Sequence, residues 1–179
     1  MFAQNYLEKI KILESFLITF MNRRYEMKVF LAMPYSQLCD ENYRVEEKYK
    51  SFFTRLTSEL KRIGCDYFLA HEREKWGKYY SSAEESTNID YNTIKESDLI
   101  CMIPGVPNSG GVHVELGWAS AFKKPLKVFL KKNYSYSPMV TGIHCLTSTD
   151  YIYYNVDYSD ELVNLIIQEV KKYKLIRRK

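Results

Sequence analysis

The chain has 179 residues, a length that suits one domain with a substantial core and is short for two ordinary domains. Apolar residues make up 46% and charged residues 27%, which excludes disordered and collagen-like chains. The formal net charge is +4, but six of the 26 basic residues lie in the last nine, KKYKLIRRK. The rest of the chain has 20 basic and 22 acidic residues, so we expect no nucleic-acid partner.

The cysteines and the apolar stretches indicate the cellular compartment in which the protein is expected. The four cysteines are scattered without a CxxC or Cys/His spacing, which argues against a disulfide framework or a structural zinc. No uninterrupted apolar stretch approaches the roughly 20 residues of a membrane-spanning helix. The N-terminal MFAQNYLEKIKILESF has acids within its apolar part, unlike a signal peptide. We therefore expect a cytoplasmic protein with no membrane partner and no metal.

Residues 2–24 predict an amphipathic helix. Its apolar face is formed by residues at spacings of three or four: Phe2, Tyr6, Ile10, Leu13, Leu17 and Phe20. This face is explained equally well by an oligomer or docking contact and by packing on the helix's own domain. We divide the chain into a helical extension, 1–26, and a single domain, 27–179.

From Lys28 on, strands and helices alternate. The predicted strands are KVFLAM (28–33), Cys65–Ala70, Asp98–Ile103, Leu126–Leu130 and Tyr151–Tyr154. The predicted helices are 43–63, Ala83–Glu96, His113–Lys123, which Pro125 ends, and Ser159–Lys172. This alternation is typical of an open, mainly parallel five-stranded α/β sheet.

Ligands of open parallel sheets bind at the carboxyl ends of the strands. Four polar, aromatic or Gly/Pro-rich segments follow the predicted strands there: MPYSQ (33–37), HEREKWG (71–77), PGVPNSGGVHVE (104–115) and NYSYSPMVTG (133–142). The sequence therefore predicts a pocket built from these segments.

Several enzyme classes lack their motifs in this chain. The first strand–helix turn, AMPYSQL, has no glycine for a GxGxxG fingerprint, and no GxxxxGK[ST] occurs. A GxSxG nucleophile elbow is also missing. Nicotinamide oxidoreductases and P-loop enzymes are excluded on this ground, and a serine hydrolase triad is disfavoured.

The segment SGGVHVELGWA has the features of an anion site followed by a carboxylate. Ser109, Gly110 and Gly111 allow the backbone to bend around a ligand, and the N–H groups of the helix that follows favour a phosphate or carboxylate. Glu115 is expected in the first turn, kept ionised by the helix dipole, as a nucleophile that attacks a sugar anomeric carbon. The alternative is that Glu115 only decorates the helix N-terminus.

Other candidate residues lie near the same edge of the sheet. Asp90 provides a second carboxylate, or is only a solvated helix residue. The loop after the second strand contains His71, Arg73 and Trp76. These side chains could bind a base or phosphate, or only pack the loop against the domain. Tyr35 could stack on a base, although the chain has 16 tyrosines.

Three blocks together carry a family resemblance: FLAMPYSQ, AHEREKWG and ESTNIDYNTIKESDLICMIPGVPNSGGVHVELGWASAFKKP. Across about Lys28 to Gly142 the chain resembles the nucleoside 2-deoxyribosyltransferase-like superfamily. Within it, the chain is most similar to the cytidylate and 5-hydroxymethylcytidylate N-glycosidases of mildiomycin-, blasticidin- and bacimethrin-type pathways. The resemblance implies a Rossmann-like, flavodoxin-like sheet with helices on both faces and a homodimer.

The resemblance also implies roles for individual residues. Glu115 matches the family's nucleophile, which attacks C1′ of the sugar. Asp90 matches the carboxylate that positions or protonates the substrate. Ser109 with the Gly110 and Gly111 amides matches the cradle of the 5′-phosphate.

The remaining matches are in two loops. Tyr35 matches an aromatic position beside the base, with Met33 and Ser36 in the same loop. Several relatives carry Arg where this chain has Ser36, a departure that bears on phosphate affinity and on the preferred base substituent. Ser137 and Met139 match a loop that reaches the neighbouring subunit's pocket.

These observations predict an N-glycosidase that hydrolyses a cytosine-type nucleoside 5′-monophosphate, CMP or 5-hydroxymethyl-CMP, without a metal or organic cofactor. The alternatives are a nucleoside 2-deoxyribosyltransferase, a NAD glycohydrolase and a non-catalytic nucleotide-sensing module.

Overall fold

The computed structural model describes residues 27–177, so the helix predicted over residues 2–24 lies outside the described residues. The strands are β1 (Met27–Ala32), β2 (Cys65–Phe68), β3 (Leu99–Met102), β4 (Leu126–Lys131) and β5 (Thr149–Tyr154). The helices are α1 (Glu47–Arg62), α2 (Ala70–Arg73), α3 (Ala83–Glu96), α4 (Gly110–Ala121), α5 (Pro138–Thr141) and α6 (Asp160–Arg177). None of these helices of residues 27–177 is long and apolar enough to cross a bilayer.

The five strands form one sheet in the order β2-β1-β3-β4-β5, and every neighbouring pair is parallel. Val29 of β1 pairs with Tyr67 on one side and with Leu99 on the other. This order is the flavodoxin-like one, in which the strand order reverses between β1 and β3. The predicted α/β fold class is confirmed, and the reversal places a crevice at the carboxyl ends of β1 and β3.

Alternate residues of the strands pack against opposite layers of helices. Val29 and Leu31 lie in the cluster that includes Leu56 of α1 and Ile166 of α6. Phe30 and Ala32 lie in a second cluster with residues of α3 and α4. Burial of each large apolar side chain contributes about 1.5–3 kcal/mol, so both layers hold the sheet firmly.

Two boundaries differ from the predicted ones in ways that affect the site. Helix α4 begins at Gly110, three residues before the predicted start, because the two glycines join the helix. Helix α1 begins at Glu47 instead of residue 43, since the Asp40 carboxylate accepts hydrogen bonds from the N–H groups of Asn42 and Arg44 and holds a turn there.

Residues 71–82, between the predicted strand Cys65–Ala70 and the predicted helix Ala83–Glu96, also contain regular structure. They contribute most of α2 and a 3₁₀ turn, Lys75–Gly77, in which Trp76 has a positive φ of 61°. This folded loop lies beside the crevice.

Candidate active site

A cavity of about 260 Å³ lies where the loop after β1 meets α2, α3 and the N-terminal half of α4. It is lined by Met33, Tyr35, Ala70, Arg73, Glu74, Tyr80, Ser86, Asp90, Ser109, Gly111, Val112 and Glu115. Seven of the predicted site residues are brought together here, from segments up to about 80 positions apart in the chain.

Glu115 lies in the second turn of α4, one turn further from the helix N-terminus than predicted. Its Oε2 atom is buried and has no hydrogen-bond partner among residues 27–177. Burial raises the pKa of Glu115 well above its usual value, and Asp90 adds to the increase, while Arg73 opposes it. Burial thus acts against the ionised form that the helix dipole was expected to maintain, and the dipole effect is worth only about 0.3–1 kcal/mol.

Asp90 projects from α3 into an ion pair with Arg73. The Arg73 Nη1 donates to Asp90 Oδ1 over 2.9 Å, and both side chains are largely buried. Burial raises the pKa of Asp90, and the Arg73 guanidinium partly offsets that effect. The cavity thus contains two carboxyl groups whose mutual repulsion and desolvation favour one retained proton.

The N-terminus of α4 presents open donors at the cavity. Ser109 precedes the helix, and its hydroxyl makes no capping hydrogen bond. A Cβ placed on Gly110 or Gly111 would meet nothing within 4 Å, so space lies in front of both residues. Gly111 lines the cavity, whereas Gly110 lies next to it in the first turn. The unpaired N–H groups of such a turn suit a phosphate.

His71 lies behind the cavity wall rather than in it. Its Nε2 atom donates to the Pro34 carbonyl over 2.8 Å, and its ring stacks between Tyr35 and Phe53, with centroids 4.8 and 4.3 Å away. Burial lowers its pKa to about 4, so the ring is neutral at pH 7. His71 therefore supports Tyr35 from behind and does not line the cavity.

Four other predicted residues are also away from the cavity. Trp76 packs against the core, 6.2 Å from the Phe53 ring centroid, and its carbonyl accepts a hydrogen bond from Val45. Ser36 is exposed at the start of a 3₁₀ turn. Ser137 caps α5 by accepting from the Met139 N–H, and Met139 is 75% exposed.

The sequence analysis missed five lining residues: Ala70, Glu74, Tyr80, Ser86 and Val112. Ser86 could have been found, because it precedes Asp90 by one helical turn on α3. Glu74 lies within the predicted pocket segment HEREKWG (71–77), but only the fold of α2 and of the turn after it decides which of its side chains reach the cavity. Tyr80 lies outside all four predicted segments. Among residues 27–177, no group of three His, Cys, Asp or Glu side chains is placed to hold a metal ion.

Comparison of the structure with solved ones gives two relatives at about 30% identity. BlsM is 30% identical, with a TM-score of 0.64, and the match covers 80% of this chain and 86% of BlsM. The CMP N-glycosidase BcmB of Clostridium botulinum is 29% identical, with a TM-score of 0.60, and the match covers 82% of this chain and 98% of BcmB. A conserved protein from Enterococcus faecalis V583, 16% identical with a TM-score of 0.58, shares the fold.

Two further comparisons found nothing: no family model matches the chain, and no curated protein matches it in sequence.

Proposed function

Because the chain belongs to the nucleoside 2-deoxyribosyltransferase-like, CMP N-glycosidase-type family, we propose that it hydrolyses the N-glycosidic bond of a cytosine-type nucleoside 5′-monophosphate. The substrate is CMP or 5-hydroxymethyl-CMP, and the products are the free base and ribose 5-phosphate. The observation that carries this proposal is the buried Oε2 of Glu115, which has no partner among residues 27–177 and lies on the cavity beside Asp90.

The phosphate is placed at the N-terminus of α4. Arg73 is the only Lys or Arg side chain that lines the cavity in the described part of the chain, and it is already paired with two acids. The phosphate is therefore held by neutral donors, the Ser109 hydroxyl and the Gly110 and Gly111 amides. This replaces the arginine that several relatives have at position 36.

Two carboxyl groups then divide the chemistry. The proton retained by the Glu115–Asp90 pair passes to the base as the C1′–N bond breaks, and the bonding electrons leave with the base. The Glu115 carboxylate attacks C1′ and forms a glycosyl ester. Water next attacks C1′, Glu115 leaves as a carboxylate, and the proton from water returns to the pair. Burial is suited to this cycle because it keeps the proton in the free enzyme.

The other parts of the site serve binding. The Tyr35 ring, backed by His71, provides an aromatic face for the base, and Met33 lies on the same loop. No step requires a metal or organic cofactor. We propose a cytoplasmic homodimer in which Ser137 and Met139 reach the partner's cavity. The exposure of Met139, and the position of both residues outside their own cavity, support this.

The test is base release by the full chain, followed by chromatography, from CMP, dCMP, hydroxymethyl-CMP, UMP, cytidine and NAD. We expect release from cytosine 5′-monophosphates, and a loss of at least about 1,000-fold in kcat with Glu115→Gln, since the amide cannot form the ester. Glu85→Gln, the same substitution at an exposed position of α3, is the matched control and should keep wild-type activity.

Other results would redirect the assignment. Consumption of NAD alone would indicate a NAD glycohydrolase, and a new nucleoside formed with an added acceptor base would indicate a transferase. Tight nucleotide binding without turnover, unaffected by Glu115→Gln, would indicate a sensing module. Near-normal release by Glu115→Gln would contradict the proposed nucleophile.

A further inference from the structure

Glu74 is a buried acid in the cavity that the proposed reaction does not use. It follows α2 directly, is 5% exposed and has a hydrogen-bond donor on each carboxylate oxygen. Oε1 accepts from Arg73, over 2.7 Å from Nη2 and 3.1 Å from Nε, and Oε2 accepts from the Ser81 N–H over 3.0 Å. A carboxylate is costly to bury, so contacts this complete indicate that its place in the fold is well determined.

Glu74 determines the direction in which Arg73 points. One edge of the guanidinium is held by Glu74, its face lies over the Phe68 ring at 5.6 Å, and Nη1 is left to donate to Asp90. An arginine side chain loses rotamer freedom when it is ordered, and the two-point contact with Glu74 removes that freedom before substrate binds. The guanidinium is thus presented to Asp90 in one orientation.

We infer that Glu74 is a positioning residue for this site: through Arg73 it holds the Asp90 carboxyl at the cavity wall and offsets the guanidinium charge there. The inference rests on the proposed function, since it assigns Asp90 a part in the proton transfer. Glu74 itself contacts Arg73 and the backbone of Ser81 rather than the reacting atoms.

The charged groups around Asp90 determine how its pKa would respond to the loss of the Glu74 charge. The titratable groups that act on it are Arg73 and Glu74 from the α2 region and Glu115 from α4. Tyr35 and Tyr80 line the same cavity.

With Glu74 ionised, the Arg73–Glu74 pair is neutral overall, and Asp90 can share a proton with Glu115. A neutral side chain at position 74 would leave the guanidinium charge uncompensated and would lower the pKa of both carboxyls.

The first experiment measures the pH dependence of kcat/KM for base release from CMP with Glu74→Gln. We expect the acidic limb to move to lower pH by about one unit. We expect kcat at pH 7 to fall about tenfold or more, because the carboxyl pair carries the proton that it must donate less of the time, while KM changes by less than about threefold. An unchanged acidic limb in a folded Glu74→Gln protein would overturn the inference.

The matched control is Glu72→Gln on the same helix. The Glu72 carboxylate accepts from Thr57 and Tyr67 and does not line the cavity. A general loosening of α2 would therefore appear in both variants, whereas the shifted acidic limb is expected only for Glu74→Gln. Equal shifts in the two variants would also overturn the inference.

A second measurement separates this inference from the proposed function. Carboxyl carbon NMR titration of the full chain, with the Asp90 signal assigned by Asp90→Asn, reports the protonation of Asp90 without any turnover. We expect a lower Asp90 pKa in Glu74→Gln than in the wild type or in Glu72→Gln. If the wild type releases no base from any nucleotide, the proposed function fails, but this titration still decides the role of Glu74.

Glu74→Asp covers the case in which Glu74→Gln does not fold. It keeps the charge but shortens the side chain by one methylene group, so the guanidinium must move. We expect a reduced kcat with an Asp90 titration close to that of the wild type. A wild-type kcat in a folded Glu74→Asp protein would show that the position of Arg73 does not matter.

Discussion

Glu115 and His71 are both buried titratable residues, and burial acts on their pKa values in opposite directions because it disfavours the charged form of each. Glu115 is an acid, so burial raises its pKa. His71 is a base, so its pKa falls to about 4 and it stays neutral. The first effect favours the proposed chemistry, and the second favours a structural role.

His71 makes the stability of the protein depend on pH. The unfolded chain binds a proton at His71 below about pH 6.5, whereas the folded protein does not until about pH 4. Stability is therefore lost as the pH falls from 6.5 to 4, by about 3 kcal/mol at the lower end.

We predict that His71→Phe weakens this dependence. The phenyl ring can stack between Tyr35 and Phe53, but the hydrogen bond to Pro34 is lost, which costs about 1–3 kcal/mol at pH 7.5. Between pH 6.5 and 4 the variant should then lose less stability than the wild type, as measured by urea unfolding. His144→Phe, the same change at an exposed histidine, controls for the added ring. Parallel pH profiles for His71→Phe and the wild type would show that His71 is not buried as described.

At the scale of the elements, α4 combines the proposed phosphate cradle and the nucleophile. It is 12 residues long, with the open space over Gly110 and Gly111 at its start and Glu115 one turn further on. A phosphate at the N-terminus and a reacting carbon at the second turn are thus held by one rigid body. The local sequence indicated both the phosphate cradle and the nucleophile, because SGG (109–111) and Glu115 lie close together in the chain.

We predict that Gly111→Ala weakens binding of the substrate phosphate without destabilising the folded protein. The added methyl group meets nothing within 4 Å, so the free protein should be unchanged or more stable by about 0.4–1 kcal/mol. If the phosphate occupies that space, KM for CMP should rise by about tenfold or more, since a charge-assisted hydrogen bond is worth about 1.5–3 kcal/mol.

Gly117→Ala on the same helix is the matched control, because its methyl group also meets nothing within 4 Å and Gly117 does not line the cavity. Thermal melting and steady-state kinetics of both variants provide the measurement. An unchanged KM for CMP in Gly111→Ala would place the phosphate elsewhere.

At the scale of the whole molecule, the reversal of strand order between β1 and β3 creates the crevice in which the site lies. The loop after β4 does not enter this cavity, and its α5 turn carries the exposed Met139. The family resemblance implies that this loop completes a second copy's site. The oligomeric state is therefore tied to activity in the proposal.

We predict a homodimer whose activity depends on Met139. Met139→Asp places a charge where the proposed contact is apolar and should lower kcat/KM for CMP about tenfold or shift the dimer towards monomer. Sedimentation velocity and kinetics at several protein concentrations measure the two effects. Leu175→Asp, at an exposed position on α6, is the control. A fully active monomer would contradict the prediction.

The sequence by itself determined the order of strands and helices and the segments that surround the site, because apolar runs, glycines and prolines act locally. It also singled out Glu115, Asp90 and Arg73. Only the tertiary structure decided the raised pKa of Glu115, the position of His71 behind the cavity wall and the position of Glu74. Each of these depends on which groups are buried together, and the contact between Arg73 and Asp90, 17 residues apart, arises only when α2 and α3 pack. Burial and long-range charge are properties of the packed molecule, so no local pattern could reveal them.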